Sequence, residues 1–326
     1  MAVSRRQFGR TGWEISEVSF GAWQLGGQWG PVEDASSIRA LRRAYESGVN
    51  FVDTAEMYGS GHSEAVVGQS LKKWRGDRVY VATKVQPPQW PHPTVENPDI
   101  DVAYTPAYLR EQAEQSLRRL NLDRIDLYKL HCWMPSGLQN LTWLETLREL
   151  QAEGKIDKIG VSLRDYRPDE GVALARSGLV DSIQVIYNIF EQEPERELFP
   201  AAQESQTAII ARVVLDSGSL TGAWTHESYD RWEEGSVPKV MFRNERFAET
   251  LARIAAIKEV TDSHYEGLDE AAIRFVLNSQ AVSTAIIGMT SSDRIARNVS
   301  FADGKGLAPG LSEHLKPFEW RRNFYV

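Results

Sequence analysis

The chain has 326 residues, 42% of them hydrophobic, and its 45 acidic and 37 basic side chains give a formal net charge of −8. This composition is typical of an ordinary globular protein, and the acidic excess argues against nucleic acid or an anionic membrane as a partner, because both bind basic faces. The single cysteine, Cys132, cannot form an intramolecular disulfide, no apolar run is long enough to span a bilayer, and the N-terminus lacks the apolar core of a signal peptide. We therefore expect a cytoplasmic protein.

Strand and helix patterns alternate along the chain after a short hairpin over residues 5–16, which turns at Thr11 and Gly12. Apolar runs bounded by turn residues predict main strands at residues 18–23, 51–54, 79–84, 125–130, 155–162, 182–186, 208–214 and 283–287. Apolar residues at helical spacing predict helices at residues 33–47, from 63 onward, and at 105–120, 141–153, 169–177, 195–205, 246–261, 269–280 and 292–301. Strands that alternate with helices indicate a parallel sheet, and right-handed crossovers leave either a closed barrel or an open, doubly wound sheet. No linker interrupts the pattern, so we predict a single domain over residues 1–326.

Two stretches fit neither a helix nor a strand and are too long for simple connections. Residues 86–98 are rich in proline, and we interpret them as a long loop on the catalytic side of the sheet. Residues 216–245 show no clean period, and we interpret them as a lid.

Polar side chains close three of the predicted strands. Asp53, Lys84 and His131 each stand at a strand end, and Tyr58 follows Asp53 in a loop marked by glycines. Because parallel strands point their carboxyl ends to one rim, we expect these four residues to lie close together.

The four residue types suit proton transfer to a carbonyl oxygen. A tyrosine phenol has an ordinary pKa of about 10, and a neighbouring lysine ammonium favours the phenolate and lowers that pKa. Asp53 would keep Lys84 protonated and aimed, and His131 would donate a hydrogen bond to the carbonyl. Each residue alone has an ordinary structural interpretation, but their joint placement at successive strand ends favours a catalytic site. A metal site at His131 and Cys132 is disfavoured, because adjacent strand residues face opposite sides and no second histidine stands at ligand spacing.

The motifs D-T-A-x-x-Y-G-x-G-x-S-E, T-K and D-L-Y-x-L-H, followed by G-K-I-D-K-I-G-V-S, I-Q-V-I-Y-N, G-S-L-T-G and I-I-G-M-T, resemble the aldo-keto reductase superfamily. The resemblance implies a (β/α)8 TIM barrel with an N-terminal β-hairpin across its bottom and long catalytic-side loops. It also implies that Asp53, Tyr58, Lys84 and His131 form the catalytic tetrad, which supplies the proton while a nicotinamide supplies the hydride.

The resemblance further implies a dinucleotide on the barrel rim, consistent with the lack of a G-x-G-x-x-G fingerprint after the first strand. By position, Ser162 and Gln184 would bind the nicotinamide carboxamide, and Arg212 would stack on the ring. The pyrophosphate side would be contacted by Leu215, Ser217, Ser219 and Leu220, although Val214 and Ser219 depart from the usual proline and leucine of this loop. The phosphate at the start of the last predicted helix would be held by Gly288, Thr290, Arg294 and Asn298.

Ten tryptophans are present, and several fall on catalytic-side loops. We predict that Trp23, Trp90 and Trp133 line an aromatic substrate pocket, whereas Trp224 and Trp232 favour packing in the core or lid.

We expect an NADP(H)-dependent enzyme that reduces aldehydes or ketones and, in reverse, oxidises an alcohol or sugar. Its partner would be a small carbonyl or sugar substrate. Many family members place Lys or Arg where this chain has Thr290 and Ser291, so we expect a modest preference for NADP(H), with NAD(H) usable. The alternative is a regulatory or binding subunit like the potassium-channel β subunits, which resemble reductases.

Overall fold

The computed structural model describes residues 3–92 and 95–322. Its strands are β1 (Arg5–Gln7), β2 (Glu14–Ser16), β3 (Val18–Gly21), β4 (Phe51–Asp53), β5 (Tyr80–Val85), β6 (Ile125–Leu130), β7 (Ile156–Ser162), β8 (Ser182–Ile186), β9 (Ala208–Arg212) and β10 (Val282–Gly288). Strands β3 to β10 close into one parallel barrel in the order β10-β3-β4-β5-β6-β7-β8-β9. The closed barrel confirms the predicted (β/α)8 class and excludes the open sheet that the strand pattern alone allowed.

The helices lie between and beyond these strands. They are α1 (Asp34–Glu46), α2 (His62–Lys72), α3 (Ile100–Ala103), α4 (Pro106–Leu120), α5 (Thr142–Ala152), α6 (Val172–Ser177), α7 (Leu198–Ser205), α8 (Ser228–Arg231), α9 (Val237–Met241), α10 (Glu245–Thr261), α11 (Leu268–Asn278), α12 (Ser292–Ser300) and α13 (Leu311–Leu315). Helix α4 shows the local causes of a boundary. The Thr105 side chain accepts a hydrogen bond from the Tyr108 N–H, Pro106 opens the first turn, and Asn121 ends the helix in the left-handed conformation.

The N-terminal hairpin closes the bottom of the barrel, as predicted. Strands β1 and β2 pair antiparallel, with Arg5 opposite Ser16. The side chains of Phe8, Trp13 and Ile15 are buried against the residues that fill the barrel interior, which are Phe51, Ala82, Leu127, Ala208, Ile210 and Ile286. Gly9 has a φ of +51°, and a Cβ there would lie 2.5 Å from the Gln206 carbonyl oxygen, so the turn requires glycine.

The segment predicted as a lid is a small folded unit rather than a plain loop. It begins with a 3-10 turn over Asp216–Thr221, continues through α8 and α9, and leads into α10. Its aromatic side chains contact one another, with Trp224 packed against Trp232, Phe242 and Phe247. The expectation that Trp224 and Trp232 serve packing is confirmed, and the lid role stays a prediction.

The described residues of the proline-rich segment after β5 form neither helix nor strand before the short helix α3. Short helices such as α3, α8 and α9 were not predicted, because pieces of four or five residues carry no helical period. Within the described residues, no helix is both long and apolar enough to cross a membrane.

Candidate active site

The barrel register brings the four predicted catalytic residues to one end. Asp53 closes β4, Lys84 lies one residue before the end of β5, and His131 follows β6 directly. Tyr58 sits in the loop between β4 and α2. Its neighbour Gly59 has a φ of +61°, and a Cβ there would lie 2.6 Å from the Gly26 carbonyl oxygen, so only glycine lets this loop approach the loop after β3.

Lys84 forms hydrogen bonds to two other members of the cluster, Asp53 and Tyr58. Its Nζ donates to Asp53 Oδ2 at 2.6 Å, to the Thr54 carbonyl oxygen at 2.7 Å, and to the Tyr58 phenol oxygen at 3.3 Å. Lys84 and Asp53 are 1% and 2% exposed, so solvent does not screen this ion pair. The ammonium is placed to stabilise a phenolate at Tyr58.

The ionisation states of Tyr58 and Asp53 follow from their surroundings. Burial raises the pKa of the Tyr58 phenol, the Asp53 carboxylate raises it further, and Arg212 opposes this. The lowered phenol pKa expected from the sequence is therefore not found, because burial and the Asp53 carboxylate outweigh the effect of Arg212. Burial also opposes ionisation of Asp53, but Lys129 and Lys84 outweigh it, and the pKa of Asp53 lies below its ordinary value. Tyr58 thus keeps its proton at neutral pH, as a proton donor must.

His131 is the fourth member of the cluster. Its ring meets the Tyr58 ring edge-on, with centroids 5.9 Å apart. Burial lowers its pKa well below the ordinary value, and Lys84, Arg212 and Lys129 lower it further. A neutral imidazole with an N–H group can donate a hydrogen bond to a carbonyl oxygen held against Tyr58.

Lys129 is a second buried lysine in the cluster, which the sequence analysis did not identify. Its Nζ donates to Asp53 Oδ1 and, at 2.6 Å, to Gln184 Oε1. Burial, against the opposing effect of Asp53 and with the help of Lys84, lowers the pKa of Lys129 to about 7. Lys129 occupies the variable position of D-L-Y-x-L-H, where period-two alternation with Leu127 turns it into the barrel. A lysine at an inward strand position was the signal that could have revealed it.

Gln184 lies inside the barrel, 2% exposed, with both ends of its amide engaged. The oxygen accepts from Lys129, and the nitrogen donates to Asp53 Oδ2 at 3.3 Å. Ser162, its neighbour in the register of β7 and β8, is also buried. The expected contacts of Gln184 with a carboxamide compete with these internal bonds, and they stay a prediction.

Arg212 ends β9 beside the cluster. Its Nη2 donates to the Leu163 carbonyl oxygen at 3.1 Å and pairs with Asp165 Oδ1. The guanidinium is close enough to oppose the rise in the Tyr58 pKa and to lower the His131 pKa. The ion pair with Asp165 holds the guanidinium plane of Arg212 in place, and this is the plane that would stack on a bound nicotinamide ring.

The residues expected on the pyrophosphate side lie in the loop after β9, and they differ in how exposed they are. Leu215 and Ser217 are partly exposed, and Ser217 adopts a φ of +54° beside Gly218. Ser219 and Leu220 are fully buried. The Ser219 hydroxyl donates to Asp216 Oδ2, and the Leu220 N–H donates to the Leu215 carbonyl oxygen. Both side chains face the protein interior, and the expectation that Ser219 and Leu220 contact the pyrophosphate side stays a prediction.

The start of α12 provides exposed groups beside this loop, since β9 and β10 are neighbours in the barrel. The Ser291 side chain accepts from the Arg294 N–H at 3.4 Å and begins the helix. Thr290 is partly exposed and Arg294 is exposed, whereas Asn298 is buried. A Cβ on Gly288 would lie 2.8 Å from Gln24 Oε1, so the loop after β3 also reaches this rim.

Two of the three predicted pocket tryptophans stand beside the cluster. Trp23 stacks on Tyr58 with centroids 6.1 Å apart, and it also meets Trp29 edge-on with centroids 5.1 Å apart, a contact that the sequence did not reveal. Trp90 is 45% exposed and meets the His131 ring at 5.4 Å.

Trp133 is the exception among the predicted pocket residues. It is fully buried, packs against Trp143, and donates its indole N–H to the Glu170 carbonyl oxygen at 3.1 Å. A ring without exposed surface cannot line a pocket, so Trp133 belongs to the core. The sequence placed it on a catalytic-side loop, but the chain turns inward just after His131.

Metal binding finds no support in the part of the chain that the structure describes, which contains no group of three or more His, Cys, Asp or Glu residues able to hold an ion. A parallel (β/α)8 barrel with a Tyr, Lys, Asp and His cluster at the carboxyl ends of its strands defines the chain as a barrel oxidoreductase of the reductase type. The Aldo/keto reductase family model matches residues 17–304, and the chain belongs to that family.

The relatives agree with this assignment. Aldo-keto reductase YhdN of Bacillus subtilis is 30% identical over 281 residues, 85% of this chain and 82% of that protein. The NADH-specific methylglyoxal reductase of Escherichia coli is 27% identical over 303 residues, 90% of this chain and 91% of that protein. The holo form of aldo-keto reductase AKR11C1 from Bacillus halodurans is 26% identical, with a TM-score of 0.75 over 97% of this chain and 96% of that one.

Proposed function

We propose that this protein is an NADP(H)-dependent oxidoreductase that reduces aldehydes or ketones to alcohols, with Tyr58 as the general acid, and that it oxidises an alcohol or sugar in the reverse direction. The observation that carries the proposal is the hydrogen bond of 3.3 Å between Lys84 Nζ and the phenol oxygen of Tyr58. The buried ion pair of Lys84 and Asp53 does not need a tyrosine hydroxyl for its own stability. Proton donation to a carbonyl, by contrast, requires a hydroxyl at a rim that the substrate can reach.

The catalytic-end rim fits a dinucleotide. Arg212 ends β9, the partly exposed Leu215 and Ser217 follow it, and the start of α12 follows the neighbouring strand β10, so these groups lie at the same end of the barrel as the cluster. When bound, a nicotinamide dinucleotide supplies the hydride that the carbonyl carbon accepts. Ser162 and Gln184 would hold its carboxamide and Arg212 would stack on its ring, while Gly288, Thr290, Arg294 and the buried Asn298 would form the phosphate end.

The residues of the chain perform the proton chemistry. The neutral His131 donates a hydrogen bond that holds the carbonyl oxygen against Tyr58, and Tyr58 transfers its proton to that oxygen. Lys84 stabilises the phenolate that remains, and Asp53 keeps the lysine ammonium aimed at it. Trp23 and Trp90 provide apolar faces on either side of the tetrad, which restrict water around the reacting carbonyl.

Coenzyme choice follows from the residues at the start of α12. Arg294 is an exposed guanidinium in the first turn, suited to the 2′-phosphate of NADP(H), but Thr290 and Ser291 add no charge. We therefore propose a modest preference for NADP(H), with NAD(H) as a usable second cofactor. The buried thiol of Cys132 is compatible with a reducing, cytoplasmic setting.

The test is a panel of small aldehydes, ketones and sugars assayed with NADPH and with NADH, followed by the decrease in reduced-cofactor absorbance. We expect turnover of at least one carbonyl class, and its loss in Tyr58→Phe. Tight NADPH binding without turnover of any carbonyl would instead support the alternative of a regulatory or binding subunit like the potassium-channel β subunits.

A further inference from the structure

Lys129 is a buried, titratable group that the proton transfer proposed above does not use. It lies on β6 beside Lys84 of β5 and Gly160 of β7, in register with both. A Cβ on Gly160 would lie 3.0 Å from Lys129 Cγ, so glycine at this position gives the lysine chain its space inside the barrel. No part of Lys129 is exposed to solvent.

Burying a second ammonium group lowers the stability of the fold unless the group has a partner of opposite charge. Lys129 has such a partner within the active site. Asp53 places one carboxylate oxygen on each lysine, with Oδ2 on Lys84 and Oδ1 on Lys129. Gln184 completes the arrangement by accepting from Lys129 and donating to Asp53. The carboxylate therefore cannot turn toward one lysine without losing the other.

We propose that Lys129 is a positioning residue for proton transfer, which shares the Asp53 carboxylate with Lys84, fixes the amide of Gln184, and adds a positive charge near His131. The inference rests on the proposed function, because it concerns the same proton donor. It goes beyond the tetrad, since the lysine acts on the reacting atoms only through other residues.

The charged groups around Lys129 set the direction of its influence. Lys84 and Asp53 lie on the two preceding barrel strands, the Arg212 guanidinium lies at the end of β9, and the His131 imidazole follows β6. The strands β7 and β8 place Gly160 and the Gln184 amide against Lys129, while Lys158 of β7 lies over the Trp13 ring at the bottom of the barrel. With both lysines protonated, the Asp53 carboxylate, which raises the Tyr58 pKa, is offset by two cations instead of one. Loss of the Lys129 charge would leave Asp53 less offset, hinder formation of the phenolate, and ease protonation of His131.

Two neutral variants separate charge from hydrogen bonding. Lys129→Met removes both, whereas Lys129→Gln keeps a donor for Asp53. We expect kcat to fall by about 10- to 100-fold in both, the range for loss of a charged hydrogen-bond partner, with the carbonyl KM changed much less. We also expect the pKa of His131 to rise in both, which NMR titration of the histidine ring measures without cofactor or turnover. Lys129→Arg, which keeps the charge, should restore part of the lost kcat.

Tyr128→Phe is the matched control. It changes the adjacent β6 residue, which faces the helices and is also fully buried, and its hydroxyl has no hydrogen-bond partner among the described residues. We expect it to leave kcat, the pH profile and the His131 pKa unchanged.

An unchanged kcat, pH profile and His131 pKa in folded Lys129→Met would overturn the proposal. If neither neutral variant folds, an ordinary wild-type His131 pKa near 6.5 would overturn the electrostatic role, and a kcat of Lys129→Arg equal to that of the wild type would overturn the positioning role. Absence of carbonyl turnover in the wild type would reject the proposed function alone, since the NMR titration of Lys129→Gln would still test the electrostatic role.

Discussion

Tyr58 holds its proton through burial, and Lys84 lies where it can stabilise the anion left after transfer. In the mechanism that we propose, this arrangement gives the two residues separate roles, because the Tyr58 donor stays neutral before the reaction and Lys84 stabilises the negative charge only as it forms.

Replacing Tyr58 by Phe removes the proton donor without changing the ring that stacks on Trp23. We expect the carbonyl reduction rate to fall by about 10²- to 10⁴-fold or more, with folding and NADPH affinity nearly unchanged. Single-turnover kinetics and cofactor titration by tryptophan fluorescence measure the two effects. Tyr45→Phe, which removes a buried hydroxyl bonded to Ser70 away from the site, is the control and should keep full activity. Near-normal single-turnover rates in Tyr58→Phe would rule out the tetrad assignment.

Arg294 is the residue on which the proposed preference for NADP(H) depends. Arg294→Ala should weaken NADPH binding by about tenfold or more, the size expected for losing a charged partner of a phosphate, and should change NADH binding little. Arg297→Ala is the matched control, because that guanidinium is already committed to Asp269 at 2.5 and 2.8 Å. Equal losses for the two cofactors in Arg294→Ala would show that this side chain does not bind the 2′-phosphate.

At the scale of elements, the loop after β9 depends on a segment at the far end of the chain. The guanidinium of Arg322 pairs with both carboxylate oxygens of Asp216, at 3.0 Å for Nη1, and lies over the rings of Phe190 and Trp320. Asp216 also accepts from the Ser219 hydroxyl. The C-terminal segment therefore fixes the loop that we propose for the pyrophosphate.

Arg322→Met should destabilise the protein by about 3–5 kcal/mol, because it leaves the buried Asp216 carboxylate without its cation, and should weaken cofactor binding through the loop. Arg321→Met is the matched control, since Arg321 forms an exposed pair with Glu193 and should cost less than about 1 kcal/mol. Urea unfolding and cofactor titration measure the effects. Equal losses of stability in Arg322→Met and Arg321→Met would show that Arg322 does not hold the loop after β9 in place.

At the scale of the whole molecule, buried acids make stability depend on pH. Glu191 is 6% exposed, and its Oε1 has no hydrogen-bond partner among the described residues. Burial raises its pKa from 4.5 to about 8, Arg322 opposes this, and Asp216 adds to it. The folded state then binds a proton that the unfolded state has released, so this contribution to stability falls as pH rises from 4.5 to about 8.

Glu191→Gln removes this dependence. The stability of the variant relative to the wild type should increase by on the order of 5 kcal/mol between pH 4.5 and 8 and then level off. Thermal or urea unfolding across that range measures the difference, and Glu204→Gln, at an exposed position, should show no trend. If the stability difference between Glu191→Gln and the wild type did not change with pH, Glu191 would be ionised in the folded protein well below pH 8.

The sequence determined the features that depend on local chemistry. The strand and helix order, the hairpin, and the placement of Asp53, Lys84 and His131 at strand ends follow from short-range periodicity and turn residues, and the structure agrees. Boundaries were less well defined where a 3-10 turn precedes a helix. The helix expected from residue 195 begins at Leu198, after the turn at Glu193–Glu195.

The contacts between residues that are far apart in sequence could not be predicted from local patterns and became known from the folded structure. Closure of the barrel places Lys129 and Gln184 against Asp53, although Gln184 is separated from Asp53 by 131 positions in sequence. The inward turn after His131 buries Trp133, and the C-terminal Arg322 reaches Asp216. Periodicity records which face of an element is buried but not which partner it is buried against, because that choice depends on barrel closure and on the neutralisation of charges brought together from separate strands.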